Sequence, residues 1–126
     1  MADYTPVYEN GQLPFTATAS AAITGGQVCV VSGVGTVAPA GGAVGTFVGV
    51  AAHDAAINAR VTLWPIAGLV HETISTAGAT AAGALSTGAT GTVEPGTLGT
   101  LAAAGTLIGT ALSTATAGLK IRWVGR

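Results

Sequence analysis

Hydrophobic and polar positions along this chain alternate in short runs and almost nowhere recur with the period of a helix. In Arg60-Val61-Thr62-Leu63-Trp64, Val61 and Leu63 share one face against Arg60 and Thr62. In Lys120-Ile121-Arg122-Trp123, Ile121 and Trp123 do the same. Such two-residue alternation is the mark of a half-buried strand. Comparable runs predict strands at Phe15–Ala19, Gln27–Val31, Thr46–Ala51, Arg60–Trp64, Leu69–Ile74, Thr106–Ala111 and Leu119–Val124. Turn formers such as Pro39-Ala40-Gly41-Gly42 and Glu94-Pro95-Gly96 punctuate them. The Ala-rich pieces Ala77–Leu85 and Leu101–Ala104 could each hold one helical turn, kept short by Gly78, Gly83 and Gly105. The pattern predicts an all-β fold, a small sandwich or barrel-like domain with at most short helical turns.

The chain also resembles itself. Gly35-Thr36-Val37-Ala38-Pro39 recurs as Gly91-Thr92-Val93-Glu94-Pro95, and Val48-Gly49-Val50-Ala51 as Ile108-Gly109-Thr110-Ala111. The second match runs on without a gap, through Asp54-Ala55 against Thr114-Ala115 to Arg60-Val61 against Lys120-Ile121. Two stretches, about Thr24–Trp64 and Ala81–Val124, therefore read as one strand–hairpin–strand unit used twice. Two like β units can pack face to face or close into one sandwich or barrel.

Residues 1–22 differ from the rest. They carry Tyr4, Tyr8, Phe15, Pro6, Pro14 and the turn pair Asn10-Gly11, which disfavour regular structure and predict an extended arm. A partner surface, or a sheet edge of its own domain, would hold such an arm. The expected division is an arm over residues 1–22 and a β-rich domain over residues 23–126.

Composition narrows the range of functions. Of 126 residues only 7% are charged, and the 49% that are hydrophobic include few aromatics. An ordinary soluble domain is about 25% charged. Small side chains bury little area each, so a lone monomer would be marginal and burial against a partner is the simplest remedy. With a net charge of −1 and four cations in all, no basic patch exists to hold phosphates, and nucleic acid is not an expected partner. Mean hydropathy is +0.63, yet Gly, Thr, Ser or Pro interrupts each apolar stretch before the roughly 18 residues of a membrane span. The opening Met1-Ala2-Asp3-Tyr4 lacks a cationic and apolar leader pattern. Synthesis in the cytoplasm is expected.

The chemistry-bearing residues form no recognisable site. Cys29 is alone within Val28-Cys29-Val30-Val31 and reads as a small buried hydrophobe. His53-Asp54 and His71-Glu72 look like acid–base pairs, but strand neighbours point to opposite faces. A site joining the two histidines to a carboxylate across strands, or a zinc site on them, would lack any close ligand motif. Ser32, Ser75, Ser86 and Ser113 have no nucleophile-elbow setting. Gly33-Val34-Gly35-Thr36-Val37-Ala38 fits the dinucleotide fingerprint, but Pro39, Gly41 and Gly42 forbid the helix that must follow it. A hairpin turn is the expected role of these glycines. No catalytic residue, cofactor, metal or small-molecule substrate is expected.

The stretches Ala21–Val28, Gly35–Pro39, Phe47–Ala56, Arg60–Trp64, Leu107–Leu112 and Lys120–Trp123 together resemble the small capsid decoration (head-stabilising, or cement) proteins of tailed bacteriophages. The likeness is to the lambda-like type, especially those of actinobacterial phages. It extends along nearly the whole chain as pattern and composition. It implies a β-rich subunit, commonly a homotrimer, on the outside of the capsid, where it stabilises the shell by bridging major capsid protein subunits. It also implies an N-terminal arm ordered on the shell, which makes Tyr4, Pro6, Tyr8, Leu13 and Phe15 the candidate capsid-contact residues. The aromatic content is lower than that pattern would suggest. Another virion β protein (a tail-tube or head-fibre component) is the alternative, followed by a host-surface or carbohydrate-binding module.

Overall fold

The seven expected strands form in whole or in part, and with three more they make two five-stranded units. In the computed structural model the described residues are 13–126. The first unit comprises β1 (Phe15–Ala19), β2 (Val28–Gly33), β3 (Thr36–Pro39), β4 (Phe47–Ala51) and β5 (Arg60–Trp64). It is a closed barrel in the order β1-β3-β2-β4-β5. The second comprises β6 (Val70–Ile74), β7 (Ala84–Thr87), β8 (Val93–Gly96), β9 (Gly109–Ala111) and β10 (Lys120–Gly125). Its order is β6-β10-β9-β7-β8. One short α-helix, α1 (Leu98–Ala104), and a 3₁₀ turn at Ala89–Gly91 complete the described elements. No helix among them is long and apolar enough to cross a membrane.

The two strand orders are the same order. Matching β1 with β6, β2 with β7 and so on to β5 with β10, both units run first–fifth–fourth–second–third. The first closes because β1 pairs in parallel with β3 at Thr18↔Thr36 and Ala19↔Val37. In the second, only the isolated parallel bridge Ser75↔Val93 spans the same gap. Ser75 and Val93 stand 56 positions after Ala19 and Val37. Beyond the β3 and β8 prolines the offset becomes 60, as in Val61 and Ile121; the extra four residues fall in the connection that holds α1.

The repetition reaches individual backbone hydrogen bonds. The bridge Ile23↔Ala55 returns as Ala79↔Ala115. Asn58 N–H donates to Ala19 O as Gly118 N–H does to Ser75 O, and Ala52 N–H donates to Thr62 O as Leu112 N–H does to Arg122 O. The cores correspond as well. Cys29, Val37, Val61 and Leu63 fill the barrel, and their counterparts Leu85, Val93, Ile121 and Trp123 fill the second unit. Val28, Ala40, Val50 and Ile66 join that second core. Alternation explains this for Val28: its neighbour Cys29 points into the barrel, so Val28 points out, toward the other unit.

Three sequence expectations are corrected. The repeated unit is a full five strands, and it begins at β1 and β6. The arm proposed over residues 1–22 overlaps β1, which is hydrogen-bonded between β3 and β5, so Phe15–Ala19 belongs to the barrel. Ala77–Leu85 holds no helical turn: Gly78 has a left-handed φ of 78°, Ala79 bridges to Ala115, and β7 begins at Ala84. Leu101–Ala104 does turn, as the end of α1. The glycine motif at Gly33–Ala38 is the β2–β3 hairpin, with Gly35 at its left-handed position (φ 68°).

Candidate interaction surface

Of the five candidate contact residues, Tyr4, Pro6 and Tyr8 lie outside the described residues. Leu13 is 81% exposed, immediately ahead of β1, and Phe15 opens that strand at 40% exposure. Phe15 is paired with Leu63 across β5, and its ring lies over Gly49, with Cζ 3.4 Å from where a Cβ would stand. Phe15 therefore lies at one end of the barrel, with Leu13 just ahead of it in the chain.

The titratable groups are held in structural roles. His53 Nε2 accepts the Thr62 N–H at 3.2 Å, so the proton sits on Nδ1, which donates to Asp54 O at 2.8 Å. In the second unit the equivalent bond runs from Arg122 N–H to Ser113 Oγ at 2.9 Å. An imidazole and a hydroxyl thus do the same work in the same turn. Asp54 repeats the theme: its Oδ1 accepts the Gly25 N–H at 2.9 Å, as Thr114 Oγ1 accepts that of Ala81 at 3.0 Å. The Gly25 bond holds the Asp54 carboxyl below its ordinary range.

His71 is fully buried. Its ring lies 5.0 Å from that of Trp123, and Nε2–H donates to Pro65 O at 3.0 Å. Burial lowers its pKa from 6.5 to about 4, against the opposing pull of the Pro65 and Ile66 carbonyls. Trp123 Nε1–H donates to Thr73 Oγ1 at 3.1 Å, and the Thr73 hydroxyl donates to Gly26 O at 3.3 Å in the first unit. This chain of partners ties one unit to the other. Burial pushes the Cys29 thiol up to about 12, the behaviour of a small core hydrophobe.

The serines are spoken for too. Ser32 Oγ shares hydrogen bonds with Ser20 and Thr36, Ser75 Oγ donates to Gly78 O, and Ser86 is buried. Among the described residues no group of three His, Cys, Asp or Glu side chains is placed to hold a metal. Glu72 and Arg122 form an ion pair at 3.2 Å across β6 and β10.

Beside these charges the surface exposes several large apolar side chains. Val31 (52% exposed) and Val34 (103%) lie on the β2–β3 hairpin, and Ile57, Ile74, Leu98, Leu112 and Leu119 are also exposed. A groove in the second unit is walled by small side chains, among them Thr80, Gly83, Ala84, Pro95, Gly96 and Ala115. Exposed apolar surface of this kind suits protein contact. Sequence reasoning did not single out the hairpin valines or the groove, although the repeat, carried residue by residue, leads to both.

No protein-family model matches the chain, and no curated protein does. Among solved structures, it superposes on the N-terminal base of the head fibre gp8.5 of bacteriophage phi29 with a TM-score of 0.70. The fold is that of a phage head-fibre base. The match covers 90% of this chain and 93% of that one, at 20% identity. It therefore takes in both five-stranded units, while the side chains on them have diverged.

Proposed function

We propose that this chain is a structural, non-enzymatic protein of the tailed-phage virion, carried on the outside of the capsid. The observation that carries the reading is the likeness, over 90% of the chain, to a protein that is itself the base of a phage head fibre. The charge-poor composition supports it, because faces with few charges lose little hydration energy when they pack against neighbours. In the finer form of the proposal, homotrimers made in the host cytoplasm bind major capsid protein subunits and bridge them. The chain ahead of Leu13 adds to a sheet edge of the shell.

A second reading has its own support. The neighbour's description as a head-fibre base favours a role as a foot that attaches a fibre to the shell, with stabilisation secondary. One experiment separates the readings: purified protein is added to expanded capsids that lack it. Stoichiometric binding with a raised tolerance to heat or internal pressure is expected for a bridging protein. Binding with unchanged tolerance favours the fibre foot, and failure to bind overturns both.

A further inference from the structure

The junction between the two units is one-sided. The second unit inserts its 3₁₀ turn into the outer face of the first: Gly91 N–H donates to Ala40 O at 2.7 Å, and Gln27 Nε2–H donates to Thr90 O at 3.1 Å. A Cβ at Gly91 would stand only 2.6 Å from Gln27 Cβ and 3.1 Å from Val28 O. Beside it, Thr87 Oγ1 accepts the Val44 N–H and donates to Gly42 O. The turn is the plug, and Gln27, Val28 and Ala40 form its socket.

The repeat supplies a second socket and a second plug. Gln27, Val28 and Ala40 correspond, at the offset of 56, to Gly83, Ala84 and Gly96, and all three line the open groove of the second unit. Thr87, Thr90 and Gly91 correspond to Val31, Val34 and Gly35 on the exposed β2–β3 hairpin. Gly35 has the φ of its counterpart, 68° against 71°, while Thr90 is left-handed (φ 57°) and Val34 is not, so the two turns match at the glycine and differ at the residue before it. Among the described residues, then, the socket on the second unit and the plug on the first are both unused.

We propose that a second copy of this chain fills the groove with its Val34-Gly35 turn, so that the junction within the chain is repeated between chains. The substitutions fit that occupant. The polar Thr87 and Thr90 of the inner plug are valines in the outer one, and Gln27 of the inner socket is glycine in the outer one, which leaves room for the added apolar volume. Residues 31–35 and 77–84 carry no charge, so the fit desolvates no ion. The contact is head-to-tail, and it generates a ring where the rotation closes. Gly45 lies against Gly105, a Cβ on the first being 2.8 Å from the carbonyl oxygen of the second. These two residues are repeat counterparts, 60 positions apart. Counterparts touch only near the axis that relates the units, which places the centre of the ring at these loops.

The inference specifies how copies associate and needs no capsid, so it and the shell reading fail separately. Val34 is fully exposed, so Val34→Asp leaves the fold of a single chain intact, checked by circular dichroism. In sedimentation velocity the parent chain is expected as one discrete multi-chain species and Val34→Asp as single chains. In a second arm, Val34→Cys and Thr80→Cys proteins are mixed with a short bis-maleimide; buried Cys29 does not compete. Covalent dimers are expected from the mixture and from neither protein alone. A parent chain that sediments as a monomer, a Val34→Asp variant that keeps the assembly, or cross-linking of Val34→Cys with itself would each overturn the proposal.

Discussion

Trp123 and its neighbours show how much this small-residue protein asks of a few large ones. In the first unit the same core position is Leu63. The indole fills more volume and, through Thr73, reaches the carbonyl of Gly26 across the junction. Trp123→Ala should therefore cost about 3–5 kcal/mol, the usual range for removing a buried aromatic. Trp123→Phe should keep most of the packing and lose about 1–2 kcal/mol with the hydrogen bond. Urea denaturation of the two variants measures both.

His71 gives a signed pH dependence. The imidazole titrates at 6.5 when unfolded and about 4 when folded, so between these values the unfolded chain holds a proton that the folded chain does not. Its contribution is complete above pH 6.5 and is lost as pH falls toward 4, a span of about 3 kcal/mol. The urea midpoint should fall across that window, and His71→Phe should flatten the slope. A midpoint that rises on acidification would contradict this placement of His71.

Gly35 and Gly91 form a matched pair for testing the junction. Both have left-handed backbones, so alanine costs each about 1 kcal/mol in backbone strain. A Cβ at Gly35 meets nothing within 4 Å, whereas one at Gly91 collides with Gln27. In a monomeric background such as Val34→Asp, Gly91→Ala should be the worse by about 1–3 kcal/mol of overpacking. Equal losses would mean that the junction is looser than described.

At the scale of elements, alternation and turn residues made the strongest strands legible. β5 and β10 announce themselves through Val61 and Leu63, and Ile121 and Trp123, because one face of each is core and the other is not. β3, β7 and β8 escaped notice for physical reasons. β3 and β8 each carry a proline, which an interior ladder position rejects. Pro39 escapes that rule by standing opposite Cys29, past the last residue that pairs with β1; Pro95 escapes it on the outermost strand of its sheet. β7 begins in an Ala-rich run whose composition suits a helix, and sheet pairing overrides that preference. The β1 and β6 repeat was illegible because Phe15-Thr16-Ala17-Thr18-Ala19 and His71-Glu72-Thr73-Ile74-Ser75 share little but their place in the barrel order.

In the proposed function, capsid contact falls to the chain ahead of β1. Because Phe15 belongs to the barrel, a deletion that tests the arm must stop short of it. Removing residues 1–12 should leave circular dichroism and the urea midpoint unchanged and abolish binding to expanded capsids. Unchanged binding would count against strand addition through this segment.

At the scale of the molecule, duplication explains the composition. A closed barrel and a five-stranded sheet of mostly small side chains share a junction in which Val28, Val50 and Ile66 of one half extend the core of the other. Each half thus gains burial it could not supply alone. The proposed contacts between copies and with a shell would extend the same economy to a surface with few charges. His53 and Asp54 hold turns that Ser113 and Thr114 hold equally well in the other unit.

The central claim is that this body belongs on the outside of a capsid. Electron cryomicroscopy of expanded capsids incubated with the purified protein tests it most directly. The account predicts ordered density at symmetry-related positions on the outer surface, with each copy touching more than one capsid protein subunit. Capsids that remain bare at saturating protein would contradict it.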